Sequence, residues 1–144
     1  MTMKLRQIMT TPVIRIGPEE PVAVAARLLE HYNIGLLPVV GSDGRLKGVV
    51  SDRDLVTRCL ATGMSPGKTT VSDVMTRRVI SARPDMDVGA AASLMGGEQI
   101  RRLPVVENGK LCGMVSLGDI ALDPEPGYDA GDALTRISDN VSHR

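Results

Sequence analysis

The chain has no tryptophan and no phenylalanine; its tyrosines are Tyr32 and Tyr128 alone. Any pocket for a base must therefore grip with aliphatic side chains and backbone, not with the aromatic platforms of single-strand binders. Net charge is missing too, since 17 Lys+Arg stand against 17 Asp+Glu. General polyanion binders carry a basic excess, so this balance argues against nucleic acid as a partner, though not against a local basic pocket. No apolar run approaches the ~20 residues that span a bilayer, which argues against a membrane partner. The opening MTMKLRQIM has charges but no apolar stretch, so no secretory signal is read there and a cytoplasmic location is expected.

Other chemistry is equally sparse. The two cysteines, Cys59 and Cys112, read as partly buried thiols in a reducing compartment, with a disulfide or redox switch as the rival reading. Two cysteines without spaced histidines do not make a zinc site, so no metal is expected. His31 and His143 are the only histidines, and no set of nucleophile, base and orienting acid can be assembled around them. SPGKTT at 65–70 contains Gly-Lys-Thr, but the phosphate-loop pattern needs glycine at Thr62, and Gly63 is one residue too close. The chain is read as non-catalytic.

What is present is a duplication. IMTTPVIRIGPEEPVAVAARLLEHYNIGLLPVV at 8–40 lies over VMTRRVISARPDMDVGAAASLMGGEQIRRLPVV at 74–106. Met-Thr, Val-Ile, a proline, Val22/Val88, Ala25-Ala26/Ala91-Ala92, Ile34/Ile100 and Leu-Pro-Val-Val coincide. At 144 residues this means one compact domain or two halves sharing a core.

The copies predict the same elements. Val13-Ile14 and Val79-Ile80 read as short strands. Pro21 is a plausible first helical residue, and Val22, Ala25, Ala26 and Leu29 follow at the spacing of an amphipathic helix. Val88, Ala91, Ala92 and Met95 repeat that stripe, with Gly96-Gly97 expected to fray its end. Leu37 to Val40 is a strand that its proline confines to an edge or a strand start. Asp43-Gly44 and Asn108-Gly109 are hairpin turns, and Leu46 to Val50 returns antiparallel. Ser51 then opens a helix towards Ala61. The fold class is α/β, two β-α-β-β-α units burying their apolar faces against each other. Residues 1–60 form the first repeat, 61–73 a linker and 74–122 the second. Residues 123–144 are a tail in which Ala133, Leu134 and Ile137 suggest a short docked helix.

Each unit ends its hairpin in the same corner: LKGVVSDRDL and LCGMVSLGDI. A serine followed three residues later by an acid is a capping box, which needs no ligand. The same pair also suits a nucleotide. Free N–H groups at a helix start attract phosphate, and a carboxylate nearby can accept both hydroxyls of a ribose.

With the paired MT…VI openings, the LPVV strands, G-x-V-S and S-x-x-D in both copies, the span from Ile8 to Ala121 resembles a tandem pair of CBS domains, a Bateman module named for cystathionine beta-synthase. The resemblance implies halves related by a pseudo-twofold axis, with clefts for adenosyl ligands such as AMP, ADP, ATP, NAD or S-adenosylmethionine. It also implies a homodimer, and regulation of a protein partner that it does not name. Carried over from the family, Ser51 and Asp54 would work with Arg77, Val79 and Ile80, and with Ile100, Arg101, Arg102 and Pro104. Ser116 and Asp119 would work with Met9, Val13 and Ile14, and with Ile34, Gly35, Leu36 and Pro38. Arg101 and Arg102 give the first cleft a preference for phosphorylated ligands; Gly35 and Leu36 give the second no charge. The expected function is a regulatory sensor of adenosyl ligands, with a structural interaction module whose clefts stay empty as the alternative. A small enzyme or redox regulator working through the cysteines is a third.

Overall fold

The structure is a computed structural model and describes residues 3–122. It divides into two units, one of residues 14–79 with 109–111, the other of residues 3–13, 80–108 and 112–122. Neither is a simple run of sequence. The first repeat is completed by the segment that opens the second, and the second by the amino-terminal segment.

In the first unit, α1 (Val22–Tyr32) buries Val22, Ala25 and Leu29 of the predicted stripe, whereas Ala26, expected with them, is exposed. Pro21 caps this helix (φ −63°, ψ 148°) instead of forming its first residue. Asn33 ends the helix in the left-handed region at φ 52°. Its N–H donates to Glu30 O, and the Ile34 N–H donates to Leu29 O at 3.0 Å. This is a Schellman closure in which asparagine takes the place of the usual glycine.

β1 (Leu36–Val40) pairs antiparallel with β2 (Leu46–Ser51), from Leu36 opposite Ser51 to Val40 opposite Leu46. The turn between them is pinned by the Arg45 N–H donating to Asp43 Oδ1 at 3.0 Å. The strand expected at Val13-Ile14 is not formed. Its pairing is reduced to one parallel bridge, Ile16 with Val39. The cause is Pro38. Ile16 N–H donates to Pro38 O and Val40 N–H to Ile16 O, but the next rung would need an N–H on Pro38, and proline has none. The same happens in the second repeat, where Ala82 bridges Val105 between Pro104 O and Val106 N–H and the strand expected at Val79-Ile80 is likewise absent.

β2 runs into α2 (Asp52–Leu55), which continues as a π-helical turn over Val56–Leu60, so the expected helix to Ala61 changes its hydrogen-bond step midway. Residues 61–73, expected to link the repeats, are packed against the start of α1. Val22 N–H donates to Thr69 O, Ala23 N–H to Pro66 O and Val71 N–H to Glu20 O. A short helix, α3 (Val71–Val74), buries Val71 and Val74 in the core with Leu37, Val39, Val50, Leu55 and Cys59. Thr76 then lies beside Val49, exchanging bonds of 2.9 and 2.8 Å in a single antiparallel bridge on the outer side of β2. Gly48 makes that approach possible: a Cβ there would sit 2.6 Å from Thr76 O.

The second unit repeats the plan with residues 66 positions away in sequence. Leu5, fully buried, follows Met3, whose carbonyl accepts from Val88 N–H as Thr69 O does from Val22. Lys4 Nζ reaches Asp87 Oδ1 at 2.5 Å. Thr10 exchanges bonds with Met114 as Thr76 does with Val49. α4 (Val88–Glu98) buries Val88, Ala91, Ala92 and Met95. The fraying expected at Gly96-Gly97 does not occur. Gly96 is buried, and the end is closed by Gln99 at φ 60° with Ile100 N–H on Met95 O. β3 (Arg102–Glu107) and β4 (Lys110–Ser116) form the second hairpin, leading into α5 (Leu117–Leu122). The hairpin's turn at 109–111 lies with the first unit, where Leu46 N–H donates to Gly109 O and Leu111 N–H to Gly44 O. The helix expected around Ala133, Leu134 and Ile137 lies outside the described residues.

Candidate functional site

Both corners form, and they form as reciprocal caps. Asp54 N–H donates to Ser51 Oγ at 3.1 Å, and Ser51 N–H donates to Asp54 Oδ2 at 2.9 Å. Ser116 and Asp119 repeat the two bonds at 3.1 and 2.9 Å. The capping reading is thus realised in full. It does not exhaust these side chains, because each serine keeps a hydroxyl proton to donate and each aspartate keeps Oδ1 outside the cap.

A backbone bond ties each corner to the start of its neighbouring strand. Asp52 N–H donates to Gly35 O, and Leu117 N–H donates to Arg101 O, both at 3.0 Å. In the first unit the Ser51–Asp54 corner therefore shares its surroundings with Ile34, Gly35, Leu36 and Pro38; Ile14, Arg77 and Val79 are in the same unit. In the second unit the Ser116–Asp119 corner is tied to the segment of Ile100, Arg101, Arg102 and Pro104. Met9, Val13 and Ile80 belong there also.

Burial separates these residues into two groups. Pro38 and Pro104 are buried, whereas Val13, Ile14, Ile34, Leu36, Val79, Ile80 and Ile100 are half-buried. Ile14 and Ile34 pack against the core of the first unit, and Ile80 and Ile100 against that of the second. Arg77 Nη2 is folded back on Ser72, at 3.2 Å from its carbonyl and 3.1 Å from its hydroxyl. Arg101 is exposed and Arg102 half-buried, and neither guanidinium has a partner among the described residues.

One residue of this site was not found from sequence. Arg58 contacts Asp54 and the chain at 74–75, and the i, i+4 acid–base spacing was the signal for it. The thiols stand apart from the corners in role. Cys59 is fully buried, and burial, aided by Glu107, pushes the Cys112 thiol up, away from the reactive thiolate. Among the described residues no group of three or more His, Cys, Asp or Glu gathers as for a metal, and no helix is long and apolar enough to cross a membrane.

The family model for the CBS domain matches residues 5–61 and 71–122. The chain belongs to the CBS-domain family. It is 41% identical over 139 residues to CBS domain-containing protein YhcV of Bacillus subtilis (strain 168), a match spanning 96% of this chain and 98% of that protein. Among solved structures it is similar to Hypoxic Response Protein I with two coordinated zinc ions, at TM-score 0.78 and 31% identity over 85% of this chain and 100% of the other. It is also similar to the CBS domain pair of protein MJ0100 in complex with 5′-methylthioadenosine and S-adenosyl-L-methionine, at TM-score 0.73 and 30% identity over 85% and 95%. The tandem α/β CBS architecture expected from the duplication is therefore established.

Proposed function

We propose that this CBS-domain pair is a non-catalytic sensor that binds an adenosyl ligand at its Ser51–Asp54 and Ser116–Asp119 corners. The observation that carries the reading is the division of labour within each cap. One carboxylate oxygen and the serine lone pair close the helix, while the other oxygen and the serine proton are left for a ribose and a phosphate. The adenosyl compounds bound by the MJ0100 pair support the ligand class. Arg101, whose carbonyl is bonded to the Ser116–Asp119 corner, and Arg102 beside it are proposed for a ligand phosphate. Regulation follows when the ligand binds one conformation of the module more tightly than another, which biases the docking of a partner.

A thermal-shift panel of AMP, ATP, NAD, S-adenosylmethionine and 5′-methylthioadenosine tests this. A ligand at 100 times its dissociation constant stabilises by about 2.7 kcal/mol, which raises the midpoint of a chain this size by roughly 5–10 °C. No shift with any of the five sinks the sensor reading and leaves the structural alternative.

The resemblance also implies pairing of two chains, and the surface offers apolar material for it. Val56, Leu60 and Met64, four residues apart, are 54%, 56% and 41% exposed. Leu60→Glu is expected to convert a dimer to monomer in sedimentation equilibrium. A dimer of undiminished strength would locate the interface elsewhere.

A further inference from the structure

The first corner carries a group with no counterpart at the second among the described residues. One turn beyond Asp54, Arg58 Nη1 donates to two successive carbonyls at the end of α3, Val74 O and Met75 O, both at 3.2 Å. Its Nε lies 3.7 Å from Asp54 Oδ1, the oxygen that the cap does not use. An i, i+4 ion pair between two mobile, exposed side chains contributes little. This pair is different: the Arg58 side chain is 50% exposed, but both members of the pair are held. The Asp54 side chain is only 13% exposed and is oriented by Ser51, and the guanidinium is fixed from behind by the two carbonyls. A planar fork of several donors can serve both at once, which a lysine ammonium does not reproduce.

In the second repeat the cap closes with the same bond lengths, but the residue four beyond Asp119 is Asp123, an acid. Among the described residues no ion pair reaches Asp119. Among the described residues, two corners alike in sequence motif and in backbone geometry thus differ in what stands behind the carboxylate.

From this we infer that Arg58 is a positioning residue for ligand binding at the Ser51–Asp54 corner: it holds Asp54 Oδ1, the oxygen outside the cap, in the orientation that accepts ribose hydroxyls. The ligand class at this corner is then a ribonucleoside compound, discriminated from its 2′-deoxy counterpart through a carboxylate held from behind. The inference rests on the ribose reading proposed above.

Calorimetry with AMP and with 2′-deoxy-AMP on the full chain separates the two. The wild-type chain is expected to favour AMP by about tenfold or more, the loss from one hydrogen bond to a charged group. Arg58→Gln is expected to bring that ratio close to one, and Arg58→Lys to give an intermediate ratio because charge remains and the fork is lost. Thermal midpoints of the same chains report any structural cost, and where Arg58→Gln fails to fold, Arg58→Lys carries the comparison. A variant that weakens both ligands equally and keeps the wild-type ratio has a structural arginine only, and the inference fails while the ribose reading stands. A wild-type chain that binds AMP and 2′-deoxy-AMP alike, or neither, overturns the ribose reading and the inference with it.

Discussion

Asp54→Ala is expected to weaken AMP binding by about ten- to a hundredfold, because a hydrogen bond to a charged group contributes roughly 1.5–3 kcal/mol. The alanine variant also removes half of the cap, since Ser51 N–H loses its acceptor, and caps are worth about 1 kcal/mol of stability. Asp54→Asn separates the two effects. Its amide oxygen still accepts from Ser51 N–H while the charge is gone, so stability should stay near wild type and affinity should still fall. Isothermal calorimetry reads the affinity and thermal unfolding reads the cap. An AMP affinity unchanged in both variants would remove Asp54 from the ligand site and leave it a capping residue alone.

Gly48→Ala is expected to lower stability by about 3 kcal/mol, at the upper end of the cost of overpacking, and the unfolding midpoint by roughly 10 °C. The added Cβ would lie 2.6 Å from Thr76 O and 3.1 Å from Met75 Sδ. The first of these is backbone, and it already accepts the Val49 N–H at 2.9 Å. It cannot retreat without opening the Val49–Thr76 bridge. At the equivalent Gly113 the obstruction is the side chain of Met9, which is flexible and can swing aside, so Gly113→Ala should cost clearly less. Gly67→Ala, with nothing within 4 Å of its Cβ, is the control expected to be close to neutral. Equal midpoints for Gly48→Ala and Gly67→Ala would show that the 75–76 segment does not bear on β2 as described.

The features readable from sequence were those written over short distances. The stripes Val22–Leu29 and Val88–Met95 follow from a 3.6-residue period, and the hairpins at Asp43-Gly44 and Asn108-Gly109 from turn chemistry. The S-x-x-D corners follow from the reciprocal cap. Even the missing parallel strands were within reach, because Pro38 and Pro104 lack the N–H that the next rung needs. The end of α4 was misjudged for a local reason of another kind. Gly96-Gly97 drew attention as helix breakers, whereas the left-handed residues that close the helices are Asn33 and Gln99.

Composition and spacing thus determined the duplication, the element types and the paired corners. Tertiary structure alone decided which opening segment completes which repeat, and that Arg58 is held from behind by the carbonyls of Val74 and Met75. The physical reason is the duplication itself. Segments 3–10 and 69–76 are equivalent in pattern, so either repeat presents a matching groove and edge to either segment. Local propensity is indifferent between the two pairings, and only the packing of Leu5 and Val71 into their respective cores, with the backbone bonds of Thr10 and Thr76, makes the choice.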